Sequence, residues 1–285
     1  MKFICFEDKV SKKKRYPANY VRRIFVISRP VQSARLKMTA LGTYVPYMNG
    51  ERLDEQVLLP GYTDYRHRVQ FQEYNVTDKL HAGENILSAV VGDGWYHGGV
   101  TASSVPYSYG LKTMLGCELT LTYEDGTEEI IEADECFECA NDGPLRENDV
   151  MHFEVYDARK TPTGWHAAIP AFYAGQLLLQ EGEKVLEHER FLPKVLRTPN
   201  GETVLDFGQN LAGYVEFTIK HGLDGHTVTL TMGETLDENG NFTLKNLLAQ
   251  GSRFLGVKVG QSLTYTCKAG RRLISRFSMY AVSAM

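Results

Sequence analysis

The segment Gly92–Gly99, GDGWYHGG, combines side chains that could contact a sugar with a glycine-rich backbone. It holds one of the two tryptophans of the chain and a tyrosine next to it. Aromatic rings stack on the C–H faces of a sugar, and short polar groups hydrogen-bond its hydroxyls. We therefore predict that Asp93, Trp95 and Tyr96 bind carbohydrate. The alternative is that Trp95 caps a core and Asp93 sets a turn.

Asn49 is the fourth predicted carbohydrate-binding residue, because its Asn-Gly pair with Gly50 indicates a turn that presents a polar side chain. Together with Glu51 and Asp93 it offers the hard oxygen ligands that calcium prefers. A plain Asn-Gly turn is the simpler interpretation, so calcium stays an alternative and no other cofactor is expected. The lone pair Cys136 and Cys139 lacks the second Cys pair or His pair of a zinc site, and no metal ligand is assigned.

Four acidic residues are candidates for a hydrolytic pair, since glycosidases need two carboxyl groups that face each other across the bond to be cut. They are Asp64, Asp93, Glu234 and Asp237. Most of them occur in turn-like sequence, where acids commonly bond to the local backbone. The chain also lacks a G-x-S-x-G motif and shows no evident Cys–His nucleophile. We therefore predict no catalytic residue.

The elements that must position these residues are strands. Residues 86–91 indicate a buried strand, and residues 119–132 indicate a hairpin around Asp125-Gly126. Alternation of apolar and polar residues returns at 214–219 and 227–232. Short strands separated by Gly, Asn and Asp predict an all-β fold of two β-sandwich, jelly-roll-like domains.

The length of 285 residues favours two domains. Turn-forming Thr, Pro and Gly residues between 161 and 183 indicate that the boundary between the two domains lies there. We predict a first domain at 1–175, with 1–34 as a leading strand or arm. The second domain is predicted at 176–285, with incomplete strands at its C-terminal end.

Charge and hydropathy exclude several functional classes. The net charge of -4 argues against a nucleic-acid partner, which normally selects a basic protein. No apolar run has the length of a membrane span, so no membrane partner is expected. Five cysteines, an odd number, and an N-terminus without a signal-peptide centre predict a cytoplasmic protein.

Several ordered segments resemble bacterial α-L-rhamnosidases of the glycoside hydrolase family 78 type. The N-terminal domain of that family is similar to residues 40–53, 59–66 and 92–98, and its concanavalin-like domain is similar to residues 204–213 and 233–237. The resemblance covers roughly residues 35–250, and its series of matches is far more specific than one short motif.

In that family the two β-sandwich domains precede an (α/α)6 barrel, whose carboxylates hydrolyse the rhamnosyl bond with inversion. This chain contains no series of long amphipathic helices, so the resemblance implies that the catalytic barrel is missing. It implies a non-catalytic accessory region that positions or binds rhamnosylated oligosaccharides or glycosides for a downstream barrel. In some members the first domain resembles a module that holds rhamnose with the help of calcium.

Two other functions stay open. The domains are alternatively a purely structural scaffold that braces the catalytic domain or builds a homodimer, with Trp95 in a core. The third alternative is a self-sufficient glycosidase. A solvent-facing Trp95 favours sugar stacking, whereas a ring buried among apolar neighbours favours bracing.

Overall fold

A computed structural model describes residues 1–6, 16–100, 107, 109–150, 153–246, 262–269, 273–274 and 282–284. Strands dominate these residues, and the two helical segments described are single turns. They are a 3-10 helix at Thr77–Lys79 and α1 at Gly94–His97. The predicted all-β fold is confirmed.

Among the described residues of the N-terminal part, up to residue 179, there are fifteen strands. They are β1 Lys2–Cys5, β2 Asn19–Ile27, β3 Val31–Leu41, β4 Thr43–Met48, β5 Glu51–Arg52, β6 Arg68–Asn75, β7 Gly83–Gly92, β8 Met114–Tyr123, β9 Glu128–Glu132, β10 Glu138–Ala140, β11 Leu145–Asn148, β12 Phe153–Asp157, β13 His166–Ala167, β14 Ile169–Ala171 and β15 Gln176–Leu179.

Two sheets of these strands form a sandwich. One sheet has the order β14-β1-β8-β3-β6-β15, with β9 also paired to β8, and the other has the order β13-β10-β2-β7-β4-β5. The main core lies between them and takes side chains from both, such as Leu36 and Leu119 from the first sheet and Leu87 and Val91 from the second. Burial of this layer is the main favourable contribution to folding of the unit.

The period-2 pattern of the sequence explains the strands. Along β7, buried residues alternate with half-buried ones, because successive side chains point to opposite faces. The predicted hairpin is confirmed as β8 paired with β9. Gly126 sits in its turn with a φ of +81°, which a side chain would disfavour.

In the described portion of the C-terminal part, ten further strands follow. They are β16 Lys194–Arg197, β17 Thr203–Asp206, β18 Leu211–Gly213, β19 Thr218–Ile219, β20 Thr227–Thr231, β21 Thr235–Leu236, β22 Phe242–Thr243, β23 Ser262–Thr266, β24 Leu273–Ile274 and β25 Val282–Ala284. Strand β20 matches the alternation at 227–232. Of the alternating segment at 214–219, only β19 forms a strand.

Strands from both parts of the chain share hydrogen-bonded ladders. A four-stranded sheet has the order β11-β12-β23-β20, in which β12 runs parallel to β23 over five residue pairs. Tyr156 of β12 stacks on Tyr265 of β23, with ring centroids 5.6 Å apart, in a cluster of buried side chains on this sheet. Strand β15, in turn, pairs with β6 of the first sandwich. The boundary between 175 and 176 stays a prediction.

Among the described residues, no helix has the length and apolar character that crossing a membrane requires.

Candidate functional site

The loop after β7 folds into one helical turn. His97 N–H donates to the Asp93 carbonyl at 3.1 Å, and Gly98 N–H donates to the Gly94 carbonyl at 3.1 Å. Gly94 has a φ of +53°, and a Cβ there would lie 2.7 Å from the Gly42 carbonyl carbon and the Thr43 nitrogen. Only glycine fits this close crossing of two chain segments.

Asp93 and His97 form a buried pair on the inner side of this turn. His97 Nδ1 lies 2.8 Å from Asp93 Oδ1, and the two side chains are 5% and 12% exposed. Asn148 Oδ1 accepts the backbone N–H of Asp93 at 2.6 Å. The cavity beside the pair has a volume of about 20 Å³, which is room for about one water molecule. A sugar ring does not fit there.

Tyr96 is also buried, with 8% of its surface exposed. Its ring meets that of Tyr65 edge-on, with centroids 5.5 Å apart, in a small core that includes Phe3 and Val69. Burial raises the pKa of the Tyr96 hydroxyl. The buried ring of Tyr96 therefore holds the helical turn against this small core.

Trp95 is half-buried and belongs to what we call the aromatic patch, formed by Tyr62, Trp95, Tyr109 and Arg66. The Tyr62 ring lies edge-on to Trp95 at 5.8 Å and to Tyr109 at 6.4 Å, and the two tyrosine hydroxyls are 2.8 Å apart. Tyr62 is 52% exposed. The patch therefore presents aromatic surface and hydroxyl groups to solvent.

The aromatic patch includes one charged residue, Arg66, which is paired with Asp64 beside the patch. The Arg66 guanidinium carbon lies 5.7 Å from the centroid of Tyr109. Its Nε and Nη2 each donate to the Asp64 carboxylate at 2.9 Å. This bidentate ion pair fixes the plane of the guanidinium. The hydrogen bond with Tyr62, followed by burial, raises the pKa of Tyr109 to about 12. Tyr109 is therefore neutral at physiological pH and able to donate a hydrogen bond.

Asn49 lies at the other end of β4 from this site. Strand β4 pairs Thr43 with Gly92 and Met48 with Leu87, so Asn49 and Asp93 are separated by about 20 Å at about 3.3 Å per residue. Asn49 Oδ1 accepts the Ile86 N–H, and its amide donates to Asn85 and to the Lys79 carbonyl. Calcium holds its ligands at about 2.3–2.6 Å, so Asn49 and Asp93 do not fit a shared calcium site.

The other acidic candidates hold local contacts. The hydrogen bonds from Arg66 lower the pKa of Asp64, the opposite of what a general acid needs. Asp237 accepts the backbone N–H groups of Asn239 and Asn241, and Glu234 accepts a bond from Asn246. Within the described residues, no three or more His, Cys, Asp or Glu side chains cluster as a metal site.

Of the four predicted binding residues, the structure places Trp95 in the aromatic patch. Tyr96 is buried against Tyr65, Asp93 is buried against His97, and Asn49 lies at the other end of β4. The sequence reasoning missed Tyr62, Tyr109 and Arg66 as neighbours of Trp95. The signal available was the tyrosine-rich segment 62–66, which sits within one of the matched family segments.

A larger groove of about 440 Å³ lies between β17 and β20. Its lining is mostly apolar, including Val204, Phe207 and Met232. Among the described residues of that lining, Glu202 is the one carboxylate, and it already accepts bonds from Thr198 and from the Phe242 backbone. Thr203, Thr229 and Thr231 also line the groove, so among the described residues it is mostly apolar with a few hydroxyl groups, and it contains none of the four predicted binding residues.

The sheets and the aromatic patch define an all-β protein of the β-sandwich class. A family model described as the α-L-rhamnosidase N-terminal domain matches residues 29–173, more than half of the chain. A second, the bacterial α-L-rhamnosidase concanavalin-like domain, matches residues 196–280. The chain therefore belongs to the α-L-rhamnosidase family and comprises these two domains of it, as the sequence resemblance implied.

Individual relatives agree with the family models. The chain is 37% identical over 246 residues to an α-L-rhamnosidase of Streptomyces avermitilis, an alignment that covers 81% of this chain and 23% of that relative. A crystal structure of the Streptomyces avermitilis enzyme complexed with L-rhamnose superposes with a TM-score of 0.83 at 33% identity and covers 95% of this chain and 26% of that one. The Aspergillus terreus enzyme gives a TM-score of 0.88 at 26% identity, over 99% of this chain and 33% of that one. The chain thus spans between 23% and 33% of the length of these relatives.

Proposed function

We propose that the chain is a non-catalytic accessory region of an α-L-rhamnosidase and that its aromatic patch binds or positions rhamnose-containing glycans for a catalytic domain outside the chain. The observation that carries the proposal is the solvent-facing ring of Tyr62 beside Trp95, within a scaffold of this family. The structure of the Streptomyces avermitilis relative with L-rhamnose supports the choice of sugar.

The chemistry of the patch suits a deoxy sugar. A 6-deoxyhexose has an apolar face that includes a methyl group, and the edges and faces of Tyr62 and Trp95 offer a matching apolar surface. The tyrosine hydroxyls and the guanidinium of Arg66 supply donors for the ring hydroxyls. Binding of a single sugar at such an open surface is expected to be weak, because little of the ligand becomes buried.

Calorimetric titration of the chain with L-rhamnose and with rhamnosylated oligosaccharides tests this proposal. The Trp95→Ala variant is expected to lose about five- to thirtyfold in affinity, since stacked aromatics contribute on the order of 1–2 kcal/mol. The Trp165→Ala variant is the matched control, because Trp165 is the other tryptophan and stacks on Arg22 at 3.9 Å. Absence of heat with the wild-type chain, or equal affinity in both variants, would refute the proposal.

Hydrolysis by the chain alone is not what the site supports. Asp64 is held ionised by Arg66, and Asp93 is buried against His97. We expect no release of nitrophenol from a nitrophenyl α-L-rhamnoside by the purified chain. Turnover that disappears in Asp93→Asn or Glu234→Gln would instead establish a self-sufficient glycosidase.

A scaffold function is the second candidate, because several exposed apolar side chains occur between residues 172 and 196, in and directly beside the segment that joins the two family domains. They are Phe172, Leu179, Val185, Leu186, Phe191, Leu192, Val195 and Leu196. Exposed apolar surface of this kind marks interaction sites. Sedimentation of the chain would show a dimer if the segment joins two copies, and Leu192→Asp would then return it to a monomer.

A further inference from the structure

Three electron-donor atoms converge where β10 pairs with the edge strand β13. Cys139 Sγ lies 3.3 Å from His166 Nε2, and His166 Nε2 lies 3.3 Å from the carbonyl oxygen of Phe6. The third side of this triangle, from Cys139 Sγ to the Phe6 oxygen, is 4.0 Å. We call these three atoms the edge triad.

The fold fixes the members of the edge triad from separate elements. Cys139 and His166 are directly opposed in the antiparallel β10–β13 pair, so their side chains share one face of the sheet. Phe6 follows β1, in the other sheet of the sandwich. The turn before His166 is held by Asp142, which accepts bonds from the backbone N–H groups of Thr163 and Gly164.

Both ring nitrogens of His166 lie within hydrogen-bonding distance of a backbone carbonyl oxygen. His166 Nδ1 lies 3.1 Å from the Gly164 carbonyl, which can only accept a hydrogen bond. The Phe6 carbonyl beside Nε2 is also an acceptor, so the metal-free neutral ring donates either from Nδ1 to Gly164 or from Nε2 to Phe6. A bound cation selects the tautomer that donates from Nδ1, because the Nε2 lone pair must face the cation. Histidines that ligate metals almost always make this outer hydrogen bond to a carbonyl or carboxylate.

The triad dimensions match those of a metal site. Tetrahedral zinc with Zn–S of about 2.3 Å and Zn–N of about 2.0 Å places its ligand atoms about 3.4–3.6 Å apart. The observed sides of 3.3 to 4.0 Å need adjustments of a few tenths of an ångström. The Cys139 side chain is buried, while His166 is exposed, so an ion reaches the triad from the His166 side.

We infer that the edge triad binds a borderline-soft divalent cation of the Zn²⁺ class, through Cys139 Sγ, His166 Nε2 and the Phe6 carbonyl, with water as the remaining ligand. Binding forms a metal–sulfur bond and releases the thiol proton to the buffer, without any redox change. The ion ties the end of β1 to the edge of the opposite sheet. The first cysteine of the C-x-x-C motif, Cys136, is exposed and takes no part.

The test uses Co²⁺ as the metal, because cobalt bound to a thiolate gives a near-ultraviolet charge-transfer band that cobalt in water lacks. The full chain is freed of metal with a chelator and titrated. The band is expected in the wild-type chain and in Cys136→Ser, and absent in Cys139→Ser. Excess Zn²⁺ is expected to remove it by displacing the cobalt.

The Cys139→Ser variant removes a buried thiol and thereby also tests folding. His166→Ala separates metal binding from folding, because His166 is exposed. This variant is expected to unfold at the same temperature as the metal-free wild type and to bind cobalt at least about tenfold more weakly. Zn²⁺ is expected to raise the melting temperature of the wild type and of Cys136→Ser but not of His166→Ala. No band in the wild type, a band that depends on Cys136, or unchanged affinity in His166→Ala would overturn the inference.

Discussion

Asp93 and Trp95 are two positions apart, yet they lie in different environments. In a helical turn each residue rotates by about 100°, so residues two apart point to nearly opposite sides while residues four apart share one. Asp93 and His97 therefore meet in the interior, and Trp95 lies in the aromatic patch against Tyr62. The sequence predicted a turning loop here but not this helical turn, so it grouped Asp93 with Trp95 as neighbours on one surface.

Gly94 sets this geometry, and a substitution measures how tightly it is held. Gly94→Ala is expected to lower the free energy of unfolding by about 2–5 kcal/mol, from left-handed backbone strain and from overpacking against Gly42 and Thr43. Gly126→Ala is the control: it has a φ of +81° but open space around it, so only the strain of about 1–2 kcal/mol applies. Urea unfolding followed by circular dichroism compares them, and equal losses would contradict the packing argument.

At the scale of elements, the sequence predicted what local chemistry encodes. The Asp125-Gly126 turn and the alternation on both sides of it identified β8 and β9. It could not predict contacts that depend on register between distant segments. Cys139 meets His166 only because β10 pairs with β13, and Tyr62 reaches Tyr109 across 47 positions. The failure of 214–217 to form a strand has no physical explanation in the described contacts.

Strand β8 is the element on which the first sheet depends, since it pairs with β1, β3 and β9. Leu119→Ala removes a side chain with 0% exposure from the core and is expected to cost about 2–5 kcal/mol in the free energy of unfolding. Ile130→Ala, in the neighbouring β9 and 58% exposed, is expected to change it by less than about 0.5 kcal/mol. Chemical denaturation measures the free energy of unfolding of both variants. A small decrease for Leu119→Ala would contradict the assignment of Leu119 to the core.

At the scale of the whole molecule, the two parts of the chain are joined by backbone hydrogen bonds as well as by the segment between them. Strands β11 and β12 belong to the segment matched by the first family domain, and β20 and β23 to that matched by the second. All four lie in one sheet. The sequence did not reveal that the two domains share a sheet, because alternation identifies strands but not their partners.

A cut between the two parts tests the strength of this joint. A specific protease site inserted after Gly182, where a turn is open to solvent, allows cleavage without touching a strand. The two fragments are expected to elute together on gel filtration in native buffer, because five residue pairs link β12 to β23, and to separate in urea. A scrambled, uncleavable insertion is the control, and separation in native buffer would show that the joint is too weak to hold them.

The sheet shared by β11, β12, β20 and β23 also limits how modules of this family can be recombined. A chimera that joins the first domain of one relative to the second domain of another, with its crossover anywhere between 174 and 195, would pair strands that did not evolve together. Moving the crossover upstream of β11 keeps the whole sheet in one parent. Inheritance of these two domains as a single block is the expected result of that constraint.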